Sequence, residues 1–464
     1  MIALSGPCGR ARETKRQMMS RDFAGSLLSA IARFSRERRG AAATIVAIAL
    51  PGLIGFSALG AETGLWYTIK LRNQSVADDA AISAAYQVIA GKTSITSDLM
   101  PAASEAAAQN GYTGTTPVVI YPYSDSIVIN GVMVTLQQTQ PGLLASMFLP
   151  SVTISTEAVA VVKALDNPCI LALSTTGTGV VFRDSSSLDA PDCAVGANST
   201  STSAIDIHGD TGSINAATLV TPGGITFNGN PVVPAAPPPE LILTSRVQIG
   251  APSITDPYAS GLTHAFLTSG IPATPAATNT WTGVTATISP GLYDGGMRFG
   301  ANAIVDLTPG VYYVTSGDFS VAPGARVTCM TCSDANGVTI IMTRTDAREE
   351  TVGNVQIATG ANVTLHAPKS GTFSGLLLVQ DPLAAAAGDK EPDNAFDGGA
   401  GMNLTGLLYF PNTMVHFQGN TSPTCTVLIA NQMTVDGRSH LTTSGCTTAG
   451  LTTLPTVYTV ALAE

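Results

Sequence analysis

Between Arg39 and Glu62 the chain runs for 22 residues without a charged side chain. As a helix rising about 1.5 Å per residue, that stretch extends roughly 33 Å, the thickness of a bilayer's hydrocarbon core. Residues 40–61 therefore read as one transmembrane helix. Arg36, Arg38 and Arg39 crowd its first flank, whereas Glu62, Asp78 and Asp79 outweigh Lys70 and Arg72 on the other. The positive-inside rule then predicts a cytoplasmic N-terminus and an exported remainder of roughly 400 residues. Pro51 and Gly52 are tolerated, because lipid-embedded helices accommodate such residues with a kink. Ala58-Leu59-Gly60 carries the small residues that a signal peptidase reads. A basic region of 39 residues is too long for a signal peptide, however, so an uncleaved anchor is the expectation. Beyond Glu62, Leu65, Ile69, Val76, Ala80, Ala84 and Val88 recur at spacings of four or seven, which predicts that the helix continues as a stalk to about Ala90.

Charge and cysteine placement agree with that orientation. Residues 1–39 hold nine basic side chains against three acidic ones, so the whole-chain charge of −10 becomes −16 beyond residue 39. Such an acidic exported part is a poor partner for nucleic acid, whose affinity depends on phosphate neutralisation. Cys8 lies in the basic tail. Cys169, Cys193, Cys329, Cys332, Cys425 and Cys446 all fall on the exported side, an even number that predicts disulfides.

The order Arg38-Arg39-Gly40, Ala49-Leu50-Pro51, Gly60-Ala61-Glu62-Thr63-Gly64, Trp66-Tyr67 and Gln74-Ser75-Val76-Ala77-Asp78-Asp79-Ala80-Ala81 resembles the N-terminal region of the TadE/TadG-like Flp (Tad) pilus assembly proteins. Gly40, Pro51, Glu62, Gly64, Ala77, Asp78, Ala80 and Ala81 carry the match. It covers residues 33–90, and the rest looks like the long extension of TadG-type members. The resemblance implies a pilus-assembly component of the bacterial inner membrane, with other Tad pilus and secretion components and the lipid bilayer as partners. Pseudopilins of this machinery carry Glu five residues after the processed Gly. Here Ile45 stands at that position, which argues against peptidase processing after Gly40. Some TadG-type proteins carry a metal-binding Asp-x-Ser-x-Ser loop; Asp184-Ser185-Ser186-Ser187-Leu188 lacks its final Ser, so no metal site is expected there.

The exported part reads as mainly β. Val118–Ile120, Ile127–Ile129 and Val132–Leu136 are strand-like, and Asn130-Gly131 between the last two predicts a tight hairpin, because both residues accept positive φ. Gly142–Leu149 is a short helical or membrane-proximal apolar stretch, and Val152–Thr156 resumes the alternation. With the stalk, these segments make a small α+β domain over 62–163. From Asn167 onward short apolar strands alternate with Gly, Asn and Ser turns. Gly300-Ala301-Asn302-Ala303-Ile304-Val305 recurs as Gly324-Ala325-Arg326-Val327-Thr328 and as Gly360-Ala361-Asn362-Val363-Thr364-Leu365, at spacings of 24 and 36. This recurrence predicts stacked coils of a parallel β-helix, or solenoid. A first portion over 164–230 and a main portion over 285–464 flank a Pro-rich connector at 231–284.

Cys169 and Cys193 are 24 apart and Cys425 and Cys446 are 21 apart, each about one coil, so both pairs are expected to bridge neighbouring coils. Cys329-Met330-Thr331-Cys332 lies between a strand and a turn. A redox pair belongs at a helix N-terminus, where the thiol pKa is lowered, so a local structural disulfide is expected. Zinc would need further ligands, and the five histidines are scattered.

Parallel β-helices that cleave polysaccharides cluster carboxylates on one face. Asp206-Ile207-His208-Gly209-Asp210 and Asp389-Lys390-Glu391-Pro392-Asp393 are candidate loops without a matching partner one coil away. Asp393, Asn394 and Asp397 offer oxygens for calcium but read equally as a solvated loop. The resulting expectation is a non-enzymatic, cofactor-free, membrane-anchored structural or assembly component of the Flp pilus system, acting in the periplasm or at the cell surface. The alternatives are a carbohydrate-active β-helix of the cell envelope and a generic surface adhesin.

Overall fold

The computed structural model describes residues 40–463 apart from 126–129, 144–145, 147–148, 165, 184–185, 209–212, 235–236, 244–246, 334, 346–350, 386–392, 399–400 and 421–424. The basic tail with Cys8, the expected strand at 127–129, and Asp184, Asp210 and Asp389 lie outside them. Strands make up 42% of the described residues and helices 17%, so the protein is mainly β with a long apolar N-terminal helix.

That helix, α1 (Gly40–Ile89), is continuous through Pro51. It ends where Gly91 takes the left-handed conformation and caps it, its N–H bonding the carbonyl of Val88. A π-turn at Ile95–Leu99 leads into α2 (Met100–Gln109). Two compact units are built along the chain. The first comprises α1 as far as Ala77 with Ala107–Pro117 and Thr135–Glu157; the second comprises Asp78–Ala106, Val118–Val134 and everything from Ala158 on.

In the first unit, helix polar groups are bonded to the strand segments. The Asn73 amide donates to Gln138 Oε1 at 2.8 Å and the Gln74 amide to the Glu157 carbonyl at 2.8 Å, while Thr156 Oγ1 donates to the Asn73 carbonyl at 3.2 Å. Asn73 is buried, so these bonds offset the cost of removing its amide from water.

A four-stranded sheet has the order Val118–Tyr123, Gly131–Pro141, Ser151–Ala164, Tyr458–Leu462. Of the expected hairpin around Asn130-Gly131, the first strand (127–129) lies outside the described residues. Asn130 has φ 59°, but Gly131 is the first residue of its strand and has no positive φ. In the sheet that strand lies between Val118–Tyr123 and Ser151–Ala164.

The second unit carries three parallel ladders. In the first, Gly291–Asp294 pairs with Gly310–Thr315, which pairs in turn with Val338–Met342 and then Leu376–Gln380. The ladder continues through the long strands Met402–Asn420 and Thr426–His440. A second ladder runs Thr280–Trp281, Met297–Phe299, Phe319–Val321, Val355–Ile357 and Asn394–Phe396, and joins the same two long strands. The third aligns Thr285–Ile288, Ile304–Leu307, Arg326–Thr328, Asn362–His366 and the start of Met402–Asn420.

Val305, Val327 and Val363 occupy equivalent positions, at separations of 22 and 36. The recurring unit is thus anchored on Ala303, Ala325 and Ala361, all buried. Gly300 stands two residues out of register with Gly324 and Gly360, because its turn is longer.

Spatial order departs from chain order. Thr426–His440 pairs onward in parallel with Pro168–Ala172, Val180–Phe182 and the start of Ser187–Ala197. Those strands lead to Ile205–Ile207, Ile214–Thr221, Ile225–Phe227, Leu241–Leu243 and Val247–Ile249. The segment 168–249 therefore follows residue 440 in the ladders although it precedes residue 280 in the chain. Within 231–284, the strands Leu241–Leu243, Val247–Ile249 and Thr280–Trp281 belong to the ladders, so the ladder-free connector runs from Gly250 to Asn279.

That connector retraces the first ladder. Ile254 exchanges two hydrogen bonds with the Asn198 side chain, at 2.7 and 2.8 Å. Asp256 meets Tyr409, His264 meets Asp381, and Phe266 packs on Phe373 with ring centroids 5.6 Å apart. Finally the Ala276 N–H bonds the Leu292 carbonyl. Ile254, Tyr258, Leu262 and Leu267 bury one face of the first ladder, and its other face lies in the main core. This double cover is why Pro168–Ala172, Val338–Met342 and Leu376–Gln380 are buried at every residue, whereas a strand covered on one face alternates.

Candidate functional site

The helix α1 holds the motif residues of the resemblance. Gly40 opens it, and Ile45, Ile48, Leu53, Ile54 and Phe56 present exposed apolar side chains over its first turns. A segment this long and apolar is sufficient to cross a membrane once. The character of the helix changes at Glu62, which is buried and accepts the Leu143 N–H at 2.6 Å. Farther on, Val76, Ala77, Ala80, Ala81, Ala84 and Ala85 are buried, Asp78 is half-buried and Asp79 is exposed. The small side chains let α2 approach, and Ser83 Oγ donates to the Ala102 carbonyl. Gly64 and Pro51 lie on the open surface of α1. The bond between Glu62 and Leu143 gave no sequence signal, because 81 residues separate its partners.

Cys169 is bonded to Cys193, Cys329 to Cys332 and Cys425 to Cys446, as fits an oxidising compartment. Cys169 and Cys193 lie on paired strands. Cys446 instead lies in the turns after Thr426–His440, where the Cys425 N–H bonds the Ser444 carbonyl. The Cys329–Cys332 bridge closes a turn after Arg326–Thr328, with no helix at either flank among the described residues.

Histidines and aspartates meet in pairs. His208 Nε2 lies 3.2 Å from Asp206, whose other oxygen accepts Thr226 Oγ1 at 2.6 Å. His264 Nδ1 lies 2.6 Å from the fully buried Asp381, and His440 Nδ1 lies 3.2 Å from Asp189. At the second ladder the His416 ring stands between two carboxylates, with Nδ1 2.7 Å from Asp397 and Nε2 2.6 Å from Asp436. Sequence reasoning singled out Asp397 but not His416 or Asp436, which join it only through register.

Asp393, Asn394 and Asp397 do not converge on one point. Asp393 Oδ2 accepts the Met414 N–H, Asn394 Oδ1 accepts the Val355 N–H, and Asp397 faces His416. Among the described residues no group of three or more His, Cys, Asp or Glu side chains is placed to hold a metal ion. Two open grooves indent the second unit: one beside Pro309, Asn336 and Phe373, the other beside Tyr86, Gln248 and Tyr458. Among the described residues that line them there is no carboxylate, histidine or lysine.

Burial raises the phenol pKa of Tyr258 and Tyr409 above the ordinary value, and the nearby Asp256 carboxylate adds to both shifts. These protonated hydroxyls donate, Tyr409 to Asp256 at 2.8 Å and Tyr258 to the Thr453 carbonyl.

No family model, curated protein or solved structure matches the chain.

Proposed function

We propose that this chain is a membrane-anchored structural component of the Flp (Tad) pilus system, of TadG type, with a non-catalytic exported body. Residues 40–61 cross the bacterial inner membrane once, with the basic tail in the cytoplasm and the bulk of the chain in the periplasm or at the cell surface. The parallel ladders form a β-solenoid stitched by disulfides, whose role is mechanical: adhesion, or support of the secretion channel beside the other pilus components.

One observation carries this reading. From Ile45 to Ala61 the α1 surface is largely exposed and apolar, and beyond Val76 it buries small residues at the positions of the Gln74–Ala81 motif. A helix that changes its surroundings in that way suits a membrane anchor continued into a folded domain. His416 with Asp436 and His440 with Asp189 bridge neighbouring strands, and this supports a structural role for them rather than a catalytic one.

Deletion of the gene tests the reading. It is expected to abolish pili or surface attachment, with recovery when the full chain is supplied. Normal piliation and attachment in the deletion strain would count against it.

A further inference from the structure

The loop that leaves strand Gly131–Pro141 is tied to α1 at the end of its apolar stretch. Gly142 N–H bonds the Pro150 carbonyl at 2.9 Å and closes the loop, and Ser146 Oγ donates to the Leu143 carbonyl at 3.1 Å. Leu143 N–H donates to Glu62 Oε1 at 2.6 Å, and the receiving carboxylate is buried. A bond from a backbone N–H to a carboxylate is charge-assisted and stronger than a neutral one, so it fixes the level of the loop along the helix. Glu62 directly follows Ala61, the last residue of the uncharged span.

Two described apolar side chains of the loop, Leu143 and Leu149, face outward. Leu143 is 66% exposed and Leu149 43% exposed. No charged residue occurs between Asp125 and Glu157, so no lysine or carboxylate of this segment opposes contact with lipid. One turn farther along α1, Leu65 and Tyr67 are also exposed and Trp66 is partly so. An aromatic pair just past an apolar span marks the headgroup level. Exposed leucines held one turn nearer the apolar span than such a pair are placed at the acyl-chain boundary, the depth at which monotopic elements bury their apolar faces.

We propose that Leu143 and Leu149 form a second membrane contact, resting on the exported leaflet beside the spanning helix and positioned by Glu62. The proposal rests on the reading of residues 40–61 as a membrane span. The partner is the lipid surface itself.

Depth-dependent fluorescence quenching tests it. The full chain carrying Cys8→Ser receives one added cysteine at a time, as Leu143→Cys, Leu149→Cys, Ile54→Cys or Ile304→Cys. Each variant is labelled with a nitrobenzoxadiazole and reconstituted into phosphatidylcholine–phosphatidylglycerol vesicles bearing nitroxide acyl chains. Labels at 143 and 149 should be quenched by shallow nitroxides at least about twofold more than the label at 304, with the label at 54 quenched by deep ones. Adding Glu62→Ala should cut the quenching at 143 to less than about half while sparing position 54. Labels at 143 and 149 that match 304 while 54 is quenched would overturn the second contact and leave the anchor standing. If 54 is unquenched as well, the span reading fails and the proposal with it. Quenching at 143 that is indifferent to Glu62→Ala would overturn the positioning role of Glu62.

Discussion

The Tyr409 hydroxyl donates to a carboxylate oxygen of Asp256 across 2.8 Å, joining the first ladder to a segment 153 positions earlier in the chain. Tyr409 is almost fully buried, and its ring lies 5.8 Å from that of Tyr258. Together the pair clasps the returning connector onto the strands it retraces.

Tyr409→Phe keeps the ring packing but removes the donor, leaving an Asp256 oxygen without that partner. A hydrogen bond to a charged group contributes about 1.5–3 kcal/mol, and a loss in that range is expected in urea unfolding of the exported part. Tyr409→Leu should cost more, since it also removes ring contacts.

Alkaline pH should weaken the same clasp. The folded-state pKa of Tyr409 and of Tyr258 is raised by burial and by Asp256. In the unfolded chain both phenols titrate at about 10. The unfolded state therefore releases protons first, so the stabilisation is complete below pH 10 and is lost as pH rises above it. The thermal midpoint should fall above pH 10, and more shallowly in Tyr409→Phe, by up to about 1.4 kcal/mol per pH unit for one proton.

The three disulfides should differ in weight. On the chain-entropy account, closing the Cys169–Cys193 loop of 24 positions stabilises by about 3 kcal/mol and closing the Cys329–Cys332 loop of three positions by about 2 kcal/mol. Replacing each pair by alanine and comparing urea midpoints should rank Cys169–Cys193 as the more costly loss.

Much of this architecture is written locally. The Cys169–Cys193 and Cys425–Cys446 spacings, the Ala303, Ala325 and Ala361 recurrence and the α1 periodicity all lie within a few dozen residues, so they appear as patterns in the chain. The placement of Thr426–His440 against Pro168–Ala172 does not. Both segments are apolar and strand-like, and nothing in either says which strand edge it will find, because register fixes faces but not partners. The same limit hid the setting of Asp397, whose neighbours His416 and Asp436 come from the next two passes of the chain.

His416 should be structural. Its ring separates the Asp397 and Asp436 carboxylates, each within 2.7 Å of a ring nitrogen. His416→Ala leaves those carboxylates facing one another and takes the ring's hydrogen bond from Asp436, and a loss of about 1–3 kcal/mol is expected. Surface attachment should survive at temperatures where the variant stays folded, and purified His416→Ala should keep its circular dichroism spectrum.

The anchor is the central claim, and its topology can be read directly. In cells expressing the full chain, alkaline carbonate should leave the protein in the membrane pellet. Protease added to spheroplasts should digest the part beyond Glu62 while sparing the basic tail. Ile54→Arg, costing about 2.5–3.5 kcal/mol at mid-membrane on the insertion scale, should shift part of the protein out of the pellet. Recovery of the intact chain in the carbonate supernatant, or a mature N-terminus at Ala61, would contradict the account.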